Sequence, residues 1–119
     1  GPFLAYFNTA GAHTPNTPPG EIRGTPVRGM SGLNAQADMV VEADVTFGHL
    51  IEILKKRGRL DDTVIFLTSD NGGIPHERTH KENFGHDAVG GLRGGKGLVW
   101  EGGHRVPLIV RWGDGTSAG

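Results

Sequence analysis

The 119-residue chain contains no cysteine. That excludes a disulfide framework, a thiolate metal site and a thiol nucleophile within these residues, and it leaves the redox compartment open. Long hydrophobic runs are missing too. No apolar stretch approaches the roughly 20 residues of a membrane-spanning helix, and no signal-peptide pattern is visible. Charge of one sign is not in excess: 12 Lys and Arg stand against 13 Asp and Glu, a formal net charge of -1. No general attraction to nucleic acid or to an anionic membrane follows from that balance. A basic patch with interleaved aromatics is absent, and so is the G-x-S-x-G elbow of a serine hydrolase. What the chain has in excess is glycine, 21 of its 119 residues, against a usual share of about 7%. The glycines show no G-x-y period. They fall between apolar segments, where tight turns and close backbone approaches need them.

The length suits one domain or part of one. The chain opens in "GPFLAYFNTAG", already inside an apolar run, and closes on "RWGDGTSAG" just after another. Residues 1–119 are therefore expected to be the central to C-terminal part of one domain, incomplete at both ends. Phe3 to Phe7 reads as a short buried strand. The stretch "NTAGAHTPNTPPG" is a loop, and "EIRGTPVRGMSG" continues irregular. From Asn34 the period changes. Val40, Ala43, Phe47, Leu50 or Ile51, and Leu54 fall three or four apart and predict an amphipathic helix. Asn34 caps its start, Lys55, Lys56 and Arg57 complement its C-terminal dipole, and Gly58 stops it. Val64 to Leu67 is a strand-length run ending in polar Thr68 to Asn71 and then glycine. A long loop follows from Ile74 to about Gly97, and Val106 to Trp112 is a third strand with Pro107 at its edge. Strand, helix and strand with short joints predict an α/β fold with a mostly parallel sheet flanked by helices.

Asp70 and Asn71 follow a buried strand directly, where ligands bind in open α/β sheets. A carboxylate beside an amide oxygen suits a hard cation such as Ca²⁺, with further ligands supplied from elsewhere. The competing reading is a simple Asp-Asn-Gly-Gly turn. His13 lies just beyond the first strand and is either an imidazole donor to an anion or leaving group, or a loop histidine bonded locally. Lys96 sits between Gly95 and Gly97. Gly90, Gly95 and Lys96 have the G-x-x-x-x-G-K spacing of a nucleotide loop, but Gly97 stands where a Mg²⁺-holding hydroxyl belongs. Lys96 is then either an anion contact on a loop that glycine lets close on a ligand, or a solvated lysine. Glu101 and Arg105 are a candidate ion pair, and Trp100 a cover for apolar surface. His76, His80, His86 and His104 invite a zinc site, yet "PHERTHKEN" starts with proline and has no apolar stripe, so a solvated histidine-rich loop is expected.

Three stretches taken in order resemble the sulfatase family of the alkaline-phosphatase-like superfamily. They are "FLAYFNTAGAHTP", "MVVEADVTFGHLIEILKKRGRLDDTVIFLTSDNGG" and "LRGGKGLVWEGGHRVPLIVRW". The resemblance implies an alkaline-phosphatase-like catalytic domain and a sulfuric ester hydrolase assisted by one calcium ion. It implies Asp70 and Asn71 as metal ligands. It further implies His13 and Lys96 as catalytic contacts to the sulfate and its leaving oxygen, on a small-molecule or carbohydrate sulfate ester. It also implies a formylglycine nucleophile made in a C/S-x-P-x-R motif, and secretion or a periplasmic or lysosomal location. Ser31, Ser69 and Ser117 are the serines present, and none lies in such a motif. The nucleophile and the remaining metal ligands are thus expected upstream, and these residues alone are expected to be inactive. A related phosphomonoesterase or phosphodiesterase and a non-catalytic sulfatase-like binding protein are the alternatives.

Overall fold

The computed structural model describes residues 1–74 and 86–113. The chain divides into two compact units, Gly1–Ile53 and Leu54–Gly119.

In the first unit, a short antiparallel hairpin pairs β1 (Glu21–Ile22) with β2 (Thr25–Pro26). Arg23 and Gly24 make its two-residue turn with positive φ values of 49° and 83°, the backbone twist that tight hairpins require. The sequence reading leaves this stretch irregular. Only the pairing of Ile22 with Thr25 reveals the strands, because two residues per strand carry no legible alternation.

The helix α1 (Ala35–Lys56) runs for 22 residues and begins and ends where the sequence predicts. Asn34 Oδ1 accepts from the Ala37 N–H at 2.9 Å, a side-chain cap of one orphan donor. At the other end Gly58 has φ 61°. Its N–H donates to Lys55 O at 3.0 Å, and the Arg59 N–H donates to Leu54 O at 2.9 Å. This is the paired closure of a Schellman motif, which an L-residue enters only with strain. The buried side of the first turns differs from expectation. Met39 and Asp38 are buried while Val40 is 57% exposed, because residues 27–31 pack on the side of α1 that carries Asp38. The Asp38 carboxylate accepts from Gly29 N at 2.7 Å, Ser31 N at 2.9 Å and Ser31 Oγ at 2.6 Å. The Ser31 hydroxyl and the two amides hold its carboxyl below the ordinary value of 3.8, since they stabilise the charged form.

In the second unit, β3 (Ile65–Thr68) pairs with β4 (Leu108–Arg111) in antiparallel register, Phe66 opposite Val110 and Leu67 opposite Ile109. Arg111 fastens the far end. Its guanidinium donates to Leu60 O at 2.8 Å, to the Gly113 carbonyl, and to Asp61 Oδ1 at 3.1 Å.

Two features of the described residues differ from the α/β expectation. Both strand pairs among the described residues are antiparallel. Phe3 to Phe7 is not a strand, and Leu4 is 97% exposed. A strand exists only with a hydrogen-bonded neighbour, and none of the described residues pairs with this segment. The partner of β3 is instead β4, which runs antiparallel to it. Val27 and Met39 are the buried hydrophobic side chains among the described residues, whereas Phe66 and Leu108 of the sheet stay exposed. Strands apolar on both sides have the composition of a sheet covered on both faces.

Candidate active site

The end of β3 shapes the first part of the site. Past Thr68 the chain folds into a tight turn, because Ser69 Oγ donates to the Asn71 carbonyl at 2.9 Å. Asn71 Nδ2 donates to the Gly72 carbonyl at 2.9 Å, which leaves Oδ1 as the side chain's acceptor. The Asp70 carboxylate is exposed, and its described contact is a long one, 3.5 Å to Ser69 Oγ. The turn thus presents two adjacent hard oxygen donors, the ligand type that calcium takes. Among the described residues no group of three or more His, Asp or Glu side chains is gathered into a metal site. Asp70 and Asn71 by themselves offer two oxygen donors, fewer than the roughly 6–8 that a calcium ion takes.

The glycine-rich loop docks on this turn through its backbone. Lys96 N–H donates to Gly73 O at 2.8 Å, and Gly72 N–H donates to Gly103 O at 2.8 Å. Gly102 N–H reaches Arg93 O at 2.9 Å, and Leu98 N–H reaches Gly95 O at 2.9 Å. The main chains lie so close that a Cβ on buried Gly72 would fall against the Gly102 carbonyl oxygen, nearer than any real carbon sits. That contact is with backbone, which cannot swing aside, so glycine is required. Asp87 prepares the entry to the loop by accepting from Val89 N at 3.0 Å and Gly91 N at 2.6 Å.

The short helix α2 (Glu101–His104) closes the loop. Glu101 and Arg105 do not form the expected ion pair. Their link is main-chain, with Arg105 N–H donating to Glu101 O at 2.8 Å. Trp100 carries a contact the sequence does not suggest: the Arg93 guanidinium stacks on its ring, 3.4 Å from the centroid. The Lys96 ammonium has no hydrogen-bond or ion-pair partner among the described residues and is half-buried. A lysine so placed can neutralise an anion without first breaking an existing pair.

His13 belongs to the first unit, and Asp70, Asn71 and Lys96 to the second. Its segment is seated on α1, for a Cβ on Gly11 would lie 2.9 Å from Met39 O. His13 Nδ1 is 2.9 Å from Thr14 O. A carbonyl only accepts, so Nδ1 carries a proton and Nε2 is the position free to exchange one. In the neutral ring Nε2 accepts; donation to a leaving oxygen requires the imidazolium.

Of the histidines weighed for zinc, His76 and His80 lie outside the described residues. His104 Nε2 is 3.2 Å from Val99 O, a local contact. Sequence reasoning missed Asp87 and Arg93. The Asp-x-x-Gly-Gly pattern of "DAVGG" is a turn signal that points to the first. Nothing in the sequence marks the second, because its partner Trp100 is identified only by stacking.

Known proteins resemble the chain over most of its length. A family model described as Sulfatase matches residues 1–118. The chain is 34% identical over 115 residues to an N-acetylgalactosamine-6-O-sulfatase of Bacteroides thetaiotaomicron, covering 93% of this chain and 22% of that protein. It is 36% identical over 117 residues to the steryl-sulfatase of Rattus norvegicus, covering 93% of this chain and 18% of that one. The crystal structure of a sulfatase from Pseudoalteromonas sp. superposes with a TM-score of 0.54 at 42% identity, over 66% of this chain and 15% of its own. The chain therefore spans about a fifth of the length of the curated relatives it matches.

Proposed function

The chain belongs to the sulfatase family, and on that premise we propose that it supplies one wall of a calcium-assisted site that hydrolyses a sulfate monoester. The observation that carries the proposal is the hydrogen bond from Lys96 N to Gly73 O, 2.8 Å. It ties the backbone beneath a cationic side chain to Gly73, two residues past Asn71, which supports reading the lysine and the turn as parts of one anion site. The wider protein is proposed to be an alkaline-phosphatase-like sulfatase whose mostly parallel sheet continues beyond β3 and β4. Its nucleophile, a formylglycine, and its other metal ligands are proposed to come from outside these residues.

Asp70 and Asn71 are the proposed calcium ligands through their side-chain oxygens. Bound there, the ion supplies positive charge against the sulfate oxygens. Lys96 neutralises a second part of that charge and stabilises the negative charge that grows on the leaving oxygen. His13, from the other unit, is proposed by itself as a donor to a leaving oxygen or a contact to a sulfate oxygen, with Thr14 O fixing its ring. The substrate class is a sulfate ester of a carbohydrate or other small molecule.

The test is hydrolysis of 4-nitrophenyl sulfate by the full-length protein, before and after chelation and with calcium restored. Activity that chelation removes and calcium returns supports the proposal. A faster rate on 4-nitrophenyl phosphate than on the sulfate assigns the site to phosphoester chemistry. No turnover of either ester leaves a non-catalytic homologue and rejects the sulfatase reading.

A further inference from the structure

Arg93 and Trp100 bracket the lysine loop, and the chemistry above uses neither. The Arg93 guanidinium carbon lies 3.4 Å from the centre of the Trp100 ring, a stacked cation–π contact. Both residues are exposed, and Arg93 has no carboxylate partner among the described residues. The same stretch is tied on the main-chain side, where Gly102 N–H donates to Arg93 O at 2.9 Å. Residues 93 to 102 are thus closed by a side-chain stack and by a backbone bond, with Lys96 between the closures.

The contents of that closed segment need such a restraint. Gly94, Gly95 and Gly97 flank Lys96, and glycine gives the backbone more freedom than any other residue. Gly94 takes φ 79°, and a Cβ there would lie 2.7 Å from Trp100 Cβ and 2.9 Å from its Cδ1. The indole is therefore the surface against which Gly94 rests. The guanidinium covers that indole and pins the residue from which the loop departs. Of Lys96 itself, the described tie is the amide bond to Gly73.

We propose that the Arg93–Trp100 stack is a clamp that positions Lys96, two positioning residues that set where the ammonium is presented. The clamp rests on the anion-binding role proposed for Lys96. A 1 Å error in placing a charged group costs up to about 100-fold in rate, so a clamp of this kind has a kinetic signature.

The experiment is a double-mutant cycle in the full-length calcium-loaded protein. Its variants are Arg93→Gln, Trp100→Ala, the pair together, Trp100→Phe and Lys96→Ala. Two readouts are taken: affinity for inorganic sulfate by calorimetry, and kcat and KM on 4-nitrophenyl sulfate. Arg93→Gln and Trp100→Ala are each expected to lower kcat by ~10- to 100-fold with a smaller change in KM, and to weaken sulfate binding. The double variant is expected to be no worse than either single one, because both remove one stack. Trp100→Phe, which keeps an aromatic face, is expected to recover most of the loss.

Additive losses would assign Arg93 a direct substrate contact and overturn the clamp. So would wild-type behaviour of Arg93→Gln, an exposed position whose change leaves folding intact even where Trp100→Ala lowers the melting temperature. Lys96→Ala separates the two levels. Unchanged sulfate affinity there rejects the lysine's role and the clamp together, whereas lost affinity there with no Arg93 or Trp100 effect rejects the clamp alone.

Discussion

The amide of Lys96 donates to the carbonyl of Gly73 at 2.8 Å, so the candidate anion contact and the candidate metal turn share one piece of backbone. The tie is main-chain, and this separates what the lysine side chain does from what holds its loop.

Replacing Lys96 by alanine is therefore expected to lower kcat by ~10²- to 10³-fold, the effect of deleting one preorganised charge or donor at a transition state. Stability should change by less than about 0.5 kcal/mol, because the Gly73 hydrogen bond survives. Steady-state kinetics beside a thermal melt checks both halves. A large loss of stability would show that the ammonium is structural.

Calcium should raise the melting temperature of the full-length protein, since a ligand that binds only the native state stabilises it by mass action. Asp70→Ala is expected to abolish that rise. Asn71→Ala should reduce it by less, because a neutral amide oxygen is a weaker ligand than a carboxylate. Melting curves with and without calcium decide this, and an Asp70→Ala protein that still responds fully would remove Asp70 from the metal site.

Two glycine substitutions should differ sharply. Gly72→Ala drives a methyl into the Gly102 carbonyl, a backbone collision expected to cost about 3 kcal/mol or more. It should also loosen the Lys96 loop, seen as faster amide exchange at Lys96. Gly58→Ala meets open space and suffers only from its φ of 61°, a cost of about 1 kcal/mol. Chemical denaturation of the two variants ranks them.

Acid should loosen the entry to α1. Asp38 has its carboxyl lowered by Ser31 and by the Gly29 and Ser31 amides, so the folded pKa lies below the unfolded one. The contribution is then fully present above pH ~4 and is lost as pH falls through the lowered folded value. Amide shifts of Gly29 and Ser31 are expected to titrate together in that acid range. In Asp38→Asn the titration should vanish, and its persistence would assign it to another group.

Much of this was legible in the chain. The helix ends were, because Asn34 and Gly58 act within one turn of their own positions. So was the Asp70-Asn71 turn, whose hydrogen bonds run from Ser69 and Asn71 to backbone no more than two residues away. The strand directions were not, because pairing is a property of two segments; β3 found its partner far along the chain, Thr68 opposite Leu108 and Ile65 opposite Arg111. The buried face of α1 moved from Val40 to Asp38 and Met39 for the same reason: Gly29 and Ser31 bond Asp38 and Gly11 lies against Met39, neighbours that periodicity along the helix does not see.

The sequence by itself determined the local chemistry: a capped helix, a hard-oxygen turn and a lysine set in glycine. Each of these depends on backbone preferences and hydrogen bonds within a few residues. The tertiary structure decided why glycine stands at Gly72, Gly73, Gly102 and Gly103, and what stacks on Trp100. Backbones of the turn, the loop and α2 pack too closely there for side chains, and the indole takes a cation on its face. The first is a contact between segments well separated in sequence, Gly72 and Gly103, and the second depends on how the loop closes, so no pattern along the chain encodes either.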